Sequence, residues 1–156
     1  MTEQPVVAVL VASPAELPVM QQTGAILEKL AIPHEIREMS SSRSPDVVDE
    51  YARTAFERGL KVLVCTTGIS GHLAAAVAAR TVLPVIGVPI SSEQMTGEMA
   101  LSVTALMPSG VPVATVGIDA AVNAAILAAQ IVGLTDPEAQ MQLWKFKDDL
   151  AEGLRL

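Results

Sequence analysis

Val6-Val7-Ala8-Val9-Leu10-Val11 is an unbroken apolar run, with valine at four of its six positions. A strand with one wet face alternates apolar and polar residues. One with no polar position has both faces covered, which places it inside a parallel sheet. The run ends at Ala12-Ser13-Pro14-Ala15-Glu16. From Leu17 onward Val19, Met20, Thr23, Ile26, Leu27 and Leu30 recur at helical spacing until Pro33 breaks the pattern. Strand, short loop and helix make one βα unit, and the chain repeats it.

A second strand is expected over residues 34–39. A second helix opens at Pro45, buries Val47, Val48, Tyr51, Ala55 and Phe56, and stops near Gly59. Val62-Leu63-Val64-Cys65 reads as the third strand, followed by a loop at 66–72 and a small-residue helix at 73–80. Residues 84–89 form a short strand bracketed by prolines. A polar loop at 90–97, a helix at 98–106, a strand at 113–116 and an alanine-rich helix at 119–132 complete the alternation. Pro137 begins a final amphipathic helix with Leu143, Trp144 and Leu150. The pattern predicts one domain over residues 1–156, a three-layer α/β sandwich around a parallel sheet of flavodoxin-like order. Ligands of such sheets bind beyond the carboxyl ends of the strands. The loops at 13–16, 40–45, 66–72 and 89–97 should therefore converge.

Among these, Ser40-Ser41-Ser42-Arg43-Ser44-Pro45 packs four hydroxyls and a guanidinium into six residues. Ser44 suits a helix N-cap, and Pro45 the first helical position, where its missing N–H costs nothing. Helix dipole, unbonded backbone N–H groups and arginine together suit an anion, phosphate best of all. The alternative is a polar loop whose serines only cap the helix.

Composition narrows the function. Of 156 residues, 51 % are apolar, 17 % charged and 3 % aromatic, so the chain can bury a large aliphatic core. A net charge of −7 argues against nucleic acid and anionic membranes. The single Cys65 excludes an internal disulfide and sits in an apolar run, as a buried small residue does. The first five residues lack the basic and apolar segments of a signal peptide, and no apolar run is long enough to span a membrane. A cytoplasmic protein is expected. No metal is expected, because no His/Cys/Asp cluster has ligand spacing. No cofactor is expected either: Thr67-Gly68-Ile69-Ser70-Gly71 falls short of a dinucleotide fingerprint.

Several stretches carry a resemblance: Val85-Ile86-Gly87-Val88-Pro89, Met107-Pro108-Ser109-Gly110-Val111-Pro112-Val113, Asn123-Ala124-Ala125-Ile126-Leu127-Ala128-Ala129-Gln130, Arg43-Ser44-Pro45 and Gly68…His72-Leu73. Over about residues 6–132 the chain resembles class I PurE, the 5-(carboxyamino)imidazole ribonucleotide mutase family, also called AIR carboxylase. The resemblance implies a small anionic, phosphorylated substrate. It also implies a homo-octamer, built through the alanine-rich and C-terminal helices, with sites at subunit junctions. The substrate contacts it implies are Ser13, Ala15, Glu16, Ser40, Arg43, Gly68, Ile69, His72 and Leu73.

The departures from the family fall at the chemistry. Ala15 stands where the family has a phosphate-binding serine, Glu16 where it has a ribose-binding aspartate, and Ser42 where it has the catalytic histidine. Thr66, Thr67 and Ile69 replace smaller residues and imply a narrower nucleobase pocket, and Met99 replaces an aspartate. In the family the carboxylate leaves the exocyclic nitrogen, is held as carbon dioxide and adds to ring carbon C4, whose proton the histidine takes. Serine cannot take that proton unless another base activates it. The catalytic candidates are therefore His72, Ser42 and Glu16. His72 either faces the ligand or bonds to backbone at the helix start. His34 reads as structural. Three readings stay open: a family member with altered chemistry on a related phosphorylated or carboxylated heterocycle, which is the favoured one; a genuine mutase using His72 or Glu16; and a silent ligand-binding or scaffold protein.

Overall fold

A computed structural model describes residues 4–69 and 72–156. β1 (Val7–Val11), β2 (His34–Glu38), β3 (Val62–Thr67), β4 (Val85–Pro89) and β5 (Ala114–Thr115) form one parallel sheet in the order β2-β1-β3-β4-β5. This is the flavodoxin-like order. Between the strands run α1 (Leu17–Lys29), α2 (Pro45–Thr54), α3 (Leu73–Ala78) and α4 (Gly97–Ala105), and α5 (Ala121–Gly133) and α6 (Pro137–Ala151) close the chain.

Alternation along β1 divides the core in two, because successive side chains point to opposite faces. Val7, Val9 and Val11 join Val62, Val64, Ile86 and Val88 under α1, α5 and α6, where Met20, Leu27, Ala125 and Phe146 meet them. Ala8 and Leu10 join Leu63, Cys65 and Val85 on the other face, under Val48 and Ala52 of α2 and Leu73, Ala74 and Val77 of α3. Gly87 lets α4 approach this second face: a Cβ there would stand 2.4 Å from Thr104 Cγ2 and 2.8 Å from Val113 Cγ1. Burial pushes the Cys65 thiol well up, so it stays a protonated core residue, as the sequence suggests.

Several expectations need correcting. β3 continues through Thr66 and Thr67, so both belong to the strand and not to the loop after it. The α5 helix begins at Ala121, two residues late, because Asp119 takes a left-handed conformation (φ 54°) that no helix continues. The α3 helix stops at Ala78, and β5 shrinks to Ala114–Thr115. On α2 the buried stripe is Val48, Ala52 and Ala55, spaced four and three residues apart. Val47 and Phe56 each sit one residue off that stripe, about 100° around the helix, and are 56 % and 64 % exposed rather than buried. On α6, Phe146 is the core anchor, while Trp144 is 67 % exposed. Of the third loop, Ser70 and Gly71 lie outside the described residues, as do Met1, Thr2 and Glu3 at the N-terminus. Among the described residues no helix is long and apolar enough to cross a membrane.

Candidate functional site

The four loops gather at the carboxyl edge of the sheet, and the loop after β1 is its most tightly bonded part. Pro14 opens a single 3-10 turn, Pro14–Glu16, in which the Glu16 N–H donates to the Ser13 carbonyl at 3.1 Å. The turn swings Glu16 inward, and only 5 % of it remains exposed. Its Oε2 accepts from the Ala12 N–H at 3.1 Å and from Thr66 Oγ1 at 2.5 Å. Thr66 Oγ1 also accepts from the Ala12 N–H at 3.0 Å. Gly68 is a matched requirement, since a Cβ there would lie 2.7 Å from Glu16 Oε1. Ser13 is half-buried, and Ala15 presents its methyl to solvent.

The loop after β2 is organised by Ser40, which is 4 % exposed. Its carbonyl accepts from the Ser44 N–H at 2.9 Å, and its hydroxyl accepts from the Arg43 N–H at 3.2 Å. The Ser40 and Ser42 hydroxyls lie 3.2 Å apart. Ser44 does occupy the N-cap position with Pro45 next to it, but its side chain makes no capping bond. Ser42, Arg43 and Ser44 are exposed. Arg43 reaches across the loops: its Nη2 donates to the Ala12 carbonyl at 3.1 Å and stands 4.0 Å from Glu38.

In the third loop Gly68 is buried and Ile69 is 56 % exposed. His72 is exposed at the residue before α3 and makes no capping bond through its side chain. With Thr67 and Met107 it lines a narrow crevice. Thr67 Oγ1 is buried there with no hydrogen-bond partner among the described residues. Leu73, grouped with the ligand contacts from the sequence, has a fully buried side chain in the second core cluster. His34 is structural, as read: its Nδ1 lies 3.0 Å from the Ile32 carbonyl, and its ring packs on Gly24.

The turn between β5 and α5 holds both ends of the fourth loop. Asp119 Oδ1 accepts from the Ser91 N–H at 2.9 Å, and its Oδ2 accepts from the Ser91 hydroxyl. The Asp119 N–H donates to the Pro89 carbonyl at 2.8 Å. Ile118 covers Gly97 so closely that a Cβ there would lie 2.5 Å away. Met99 is 57 % exposed. Sequence reasoning placed Asp119 in a helix and missed this clamp. The available signal was an aspartate ahead of an alanine run, since aspartate tolerates the left-handed region better than most residues.

A doubly wound parallel sheet whose polar loops meet at its carboxyl edge is an α/β architecture of the kind that binds ligands at that edge. The comparisons narrow this. The sequence model of the family described as AIR carboxylase matches residues 6–153. The N5-carboxyaminoimidazole ribonucleotide mutase of Pyrococcus horikoshii is 44 % identical over 96 % of this chain and 84 % of its own. That of Thermotoga maritima is 44 % identical over 92 % of this chain and 84 % of its own. The crystal structure of Treponema denticola PurE superposes with a TM-score of 0.84 at 25 % identity, covering 95 % of this chain and 92 % of that one. The chain belongs to the AIR carboxylase (PurE) family.

Proposed function

We propose that this chain is a carboxyaminoimidazole ribonucleotide mutase, moving a carboxylate between the exocyclic nitrogen and C4 of a phosphorylated aminoimidazole. The observation that carries the reading is its 44 % identity to a curated mutase across 84 % of that protein's length. This reverses the preference drawn from the sequence alone, where altered chemistry came first. Arg43 and Ser13 supply the anion site, together with Ser40, Ser42 and the start of α2. Four of Arg43's five N–H donors lie beyond its bond to Ala12, and the side chain is 62 % exposed. When carbon dioxide adds to C4, the C4 proton must pass to a base, and the nitrogen that lost its carboxylate regains a proton. His72, exposed ahead of α3 beside the crevice of Thr67 and Met107, is assigned that transfer.

A second reading has its own observation. On the family resemblance Ser42 stands where the pattern has histidine, and its hydroxyl lies 3.2 Å from that of Ser40. On that reading the site binds a related phosphorylated heterocycle and changes it differently. The test is the rate at which the native protein interconverts 5-(carboxyamino)imidazole ribonucleotide and its C4 isomer, measured beside the Pyrococcus relative. Comparable rates support the mutase. Tight binding without interconversion selects the second reading, and neither binding nor interconversion selects a scaffold.

Assembly as a homo-octamer belongs to the same proposal. It is supported by the exposure of Met141 and Trp144 on α6, of Leu134 in the turn before it, and of Val82 and Leu106 elsewhere. A light-scattering mass near one or two chains of 16.3 kDa would sink it.

A further inference from the structure

We propose that Glu16 is a positioning residue: it aligns Arg43 through the backbone of Ala12 and does not itself contact the ligand. The inference rests on the reading of Arg43 as the anion-binding cation. The backbone of Ala12 is gripped on both sides of its Cα, at the N–H of one peptide group and the carbonyl of the next. Its N–H is held by Glu16 Oε2 and Thr66 Oγ1 at 3.1 and 3.0 Å, and its carbonyl is held by Arg43 Nη2 at 3.1 Å. Ala12 and Thr66 are fully buried and Glu16 nearly so. A carboxylate withdrawn from water needs hydrogen-bond donors, and the Ala12 N–H and Thr66 hydroxyl are those donors.

The guanidinium end of Arg43 lies largely in solvent, where a long side chain is otherwise free to move. Its bond to the Ala12 carbonyl selects one orientation, and Glu16 anchors the same residue through its N–H. The other carboxylate oxygen lies beneath Gly68. A Cβ at 68 would meet Glu16 Oε1 at 2.7 Å, and the carboxylate cannot swing aside without breaking two buried bonds. Glu16 and Gly68 are therefore a matched pair. With Oε2 engaged by two internal donors and Oε1 packed against Gly68, the site selects its ligand by the anion rather than by the sugar hydroxyls.

Titration calorimetry with inorganic phosphate and with ribose 5-phosphate tests this on the full chain. Glu16→Ala should weaken both probes by the same factor, about tenfold. Glu16→Gln, whose amide oxygen accepts the same two bonds, should stay within about threefold of native. A loss confined to ribose 5-phosphate would overturn the proposal, as would a Glu16→Gln loss equal to that of Glu16→Ala, since either means the carboxylate meets the ligand. A thermal-unfolding cycle needs no ligand. Gly68→Ala should lower the midpoint in the native background and much less in the Glu16→Ala background, and equal lowering in both would overturn the pairing. If native protein binds neither probe, the anion reading fails and takes the link to Arg43 with it, while the cycle still decides the match of Glu16 to Gly68.

Discussion

The loops after β1 and β2 are both short, polar and at the same edge of the sheet, yet they use their polar groups in opposite ways. The first turns its carboxylate inward, where Glu16 is 5 % exposed and bonded to Ala12 and Thr66. The second buries only Ser40 and leaves Ser42, Arg43 and Ser44 at the surface. A polar group satisfied inside the protein contributes rigidity, because breaking its bond leaves a buried atom unpaired. One left in solvent contributes little to folding but remains available to a ligand. Substitutions in the first loop should therefore register as lost stability, and those in the exposed groups as lost binding or turnover.

The largest expected effect tests the exposed side. His72→Asn should lower the mutase rate by about 10²–10⁴-fold, the range for a positioned general base. It should barely move the unfolding midpoint, because the ring caps nothing. A rate within threefold of native, about 0.7 kcal/mol, would place the base elsewhere.

Thr66→Val tests the buried side. It removes one donor from the Glu16 carboxylate and should destabilise the protein by about 1–3 kcal/mol in urea unfolding. Ser42→Ala, in the exposed loop, should change stability by no more than about 0.5 kcal/mol. Equal effects would erase the contrast between the two loops.

Arg43→Ala should weaken a phosphorylated ligand by about 10- to 100-fold in calorimetry, the loss of one charge-assisted contact. Unchanged affinity would locate the anion site away from this loop.

The smallest effect sharpens the comparison at the outer edge of the sheet. Burial alone would raise the pKa of Glu35, but hydrogen bonds from Tyr51 at 2.5 Å and Arg37 at 2.9 Å outweigh it and hold the carboxyl below its ordinary 4.5. Arg58 adds charge at 3.5 Å and lies over the Tyr51 ring. A depressed carboxyl pKa stabilises the fold above the unfolded value and loses that stabilisation as pH falls through the folded value. Tyr51→Phe should therefore cost about 0.5–1 kcal/mol near neutrality, and the cost should shrink below about pH 4.5. A constant cost down to pH 3 would mean that the Tyr51 hydroxyl is not bonded to an ionised Glu35.

Strand and helix order was legible from local pattern. Val7 to Val11 is apolar on both faces, and the stripe of Met20, Thr23, Ile26 and Leu27 in α1 is buried as its spacing requires. Boundaries were less legible. Nothing in Thr66-Thr67 distinguishes strand from loop; pairing with Val88 and Pro89 of β4 extends β3 through them. Likewise Asp119 reads as helical until Pro89 and Ser91 are seen to hold it in a left-handed turn. The candidate residues Ser13, Glu16, Ser40 and Arg43 were legible by position, since every loop after a parallel strand opens on one edge. The direction of the Leu73 side chain was not legible: it is buried in the second core cluster, and a position in a motif says nothing of which way a helical side chain points.

By itself the sequence determined the βα alternation, the two-faced aliphatic strands and the family, because period and residue type are local properties that neighbouring segments only reinforce. Tertiary structure alone decided that Glu16 faces inward, that Gly68 must lack a side chain above it, and that Arg43 is joined to Glu16 through the backbone of Ala12. Those are contacts among residues separated by as many as 54 positions in the chain. Their geometry is set by how strands pack side by side, which no single stretch of the chain encodes.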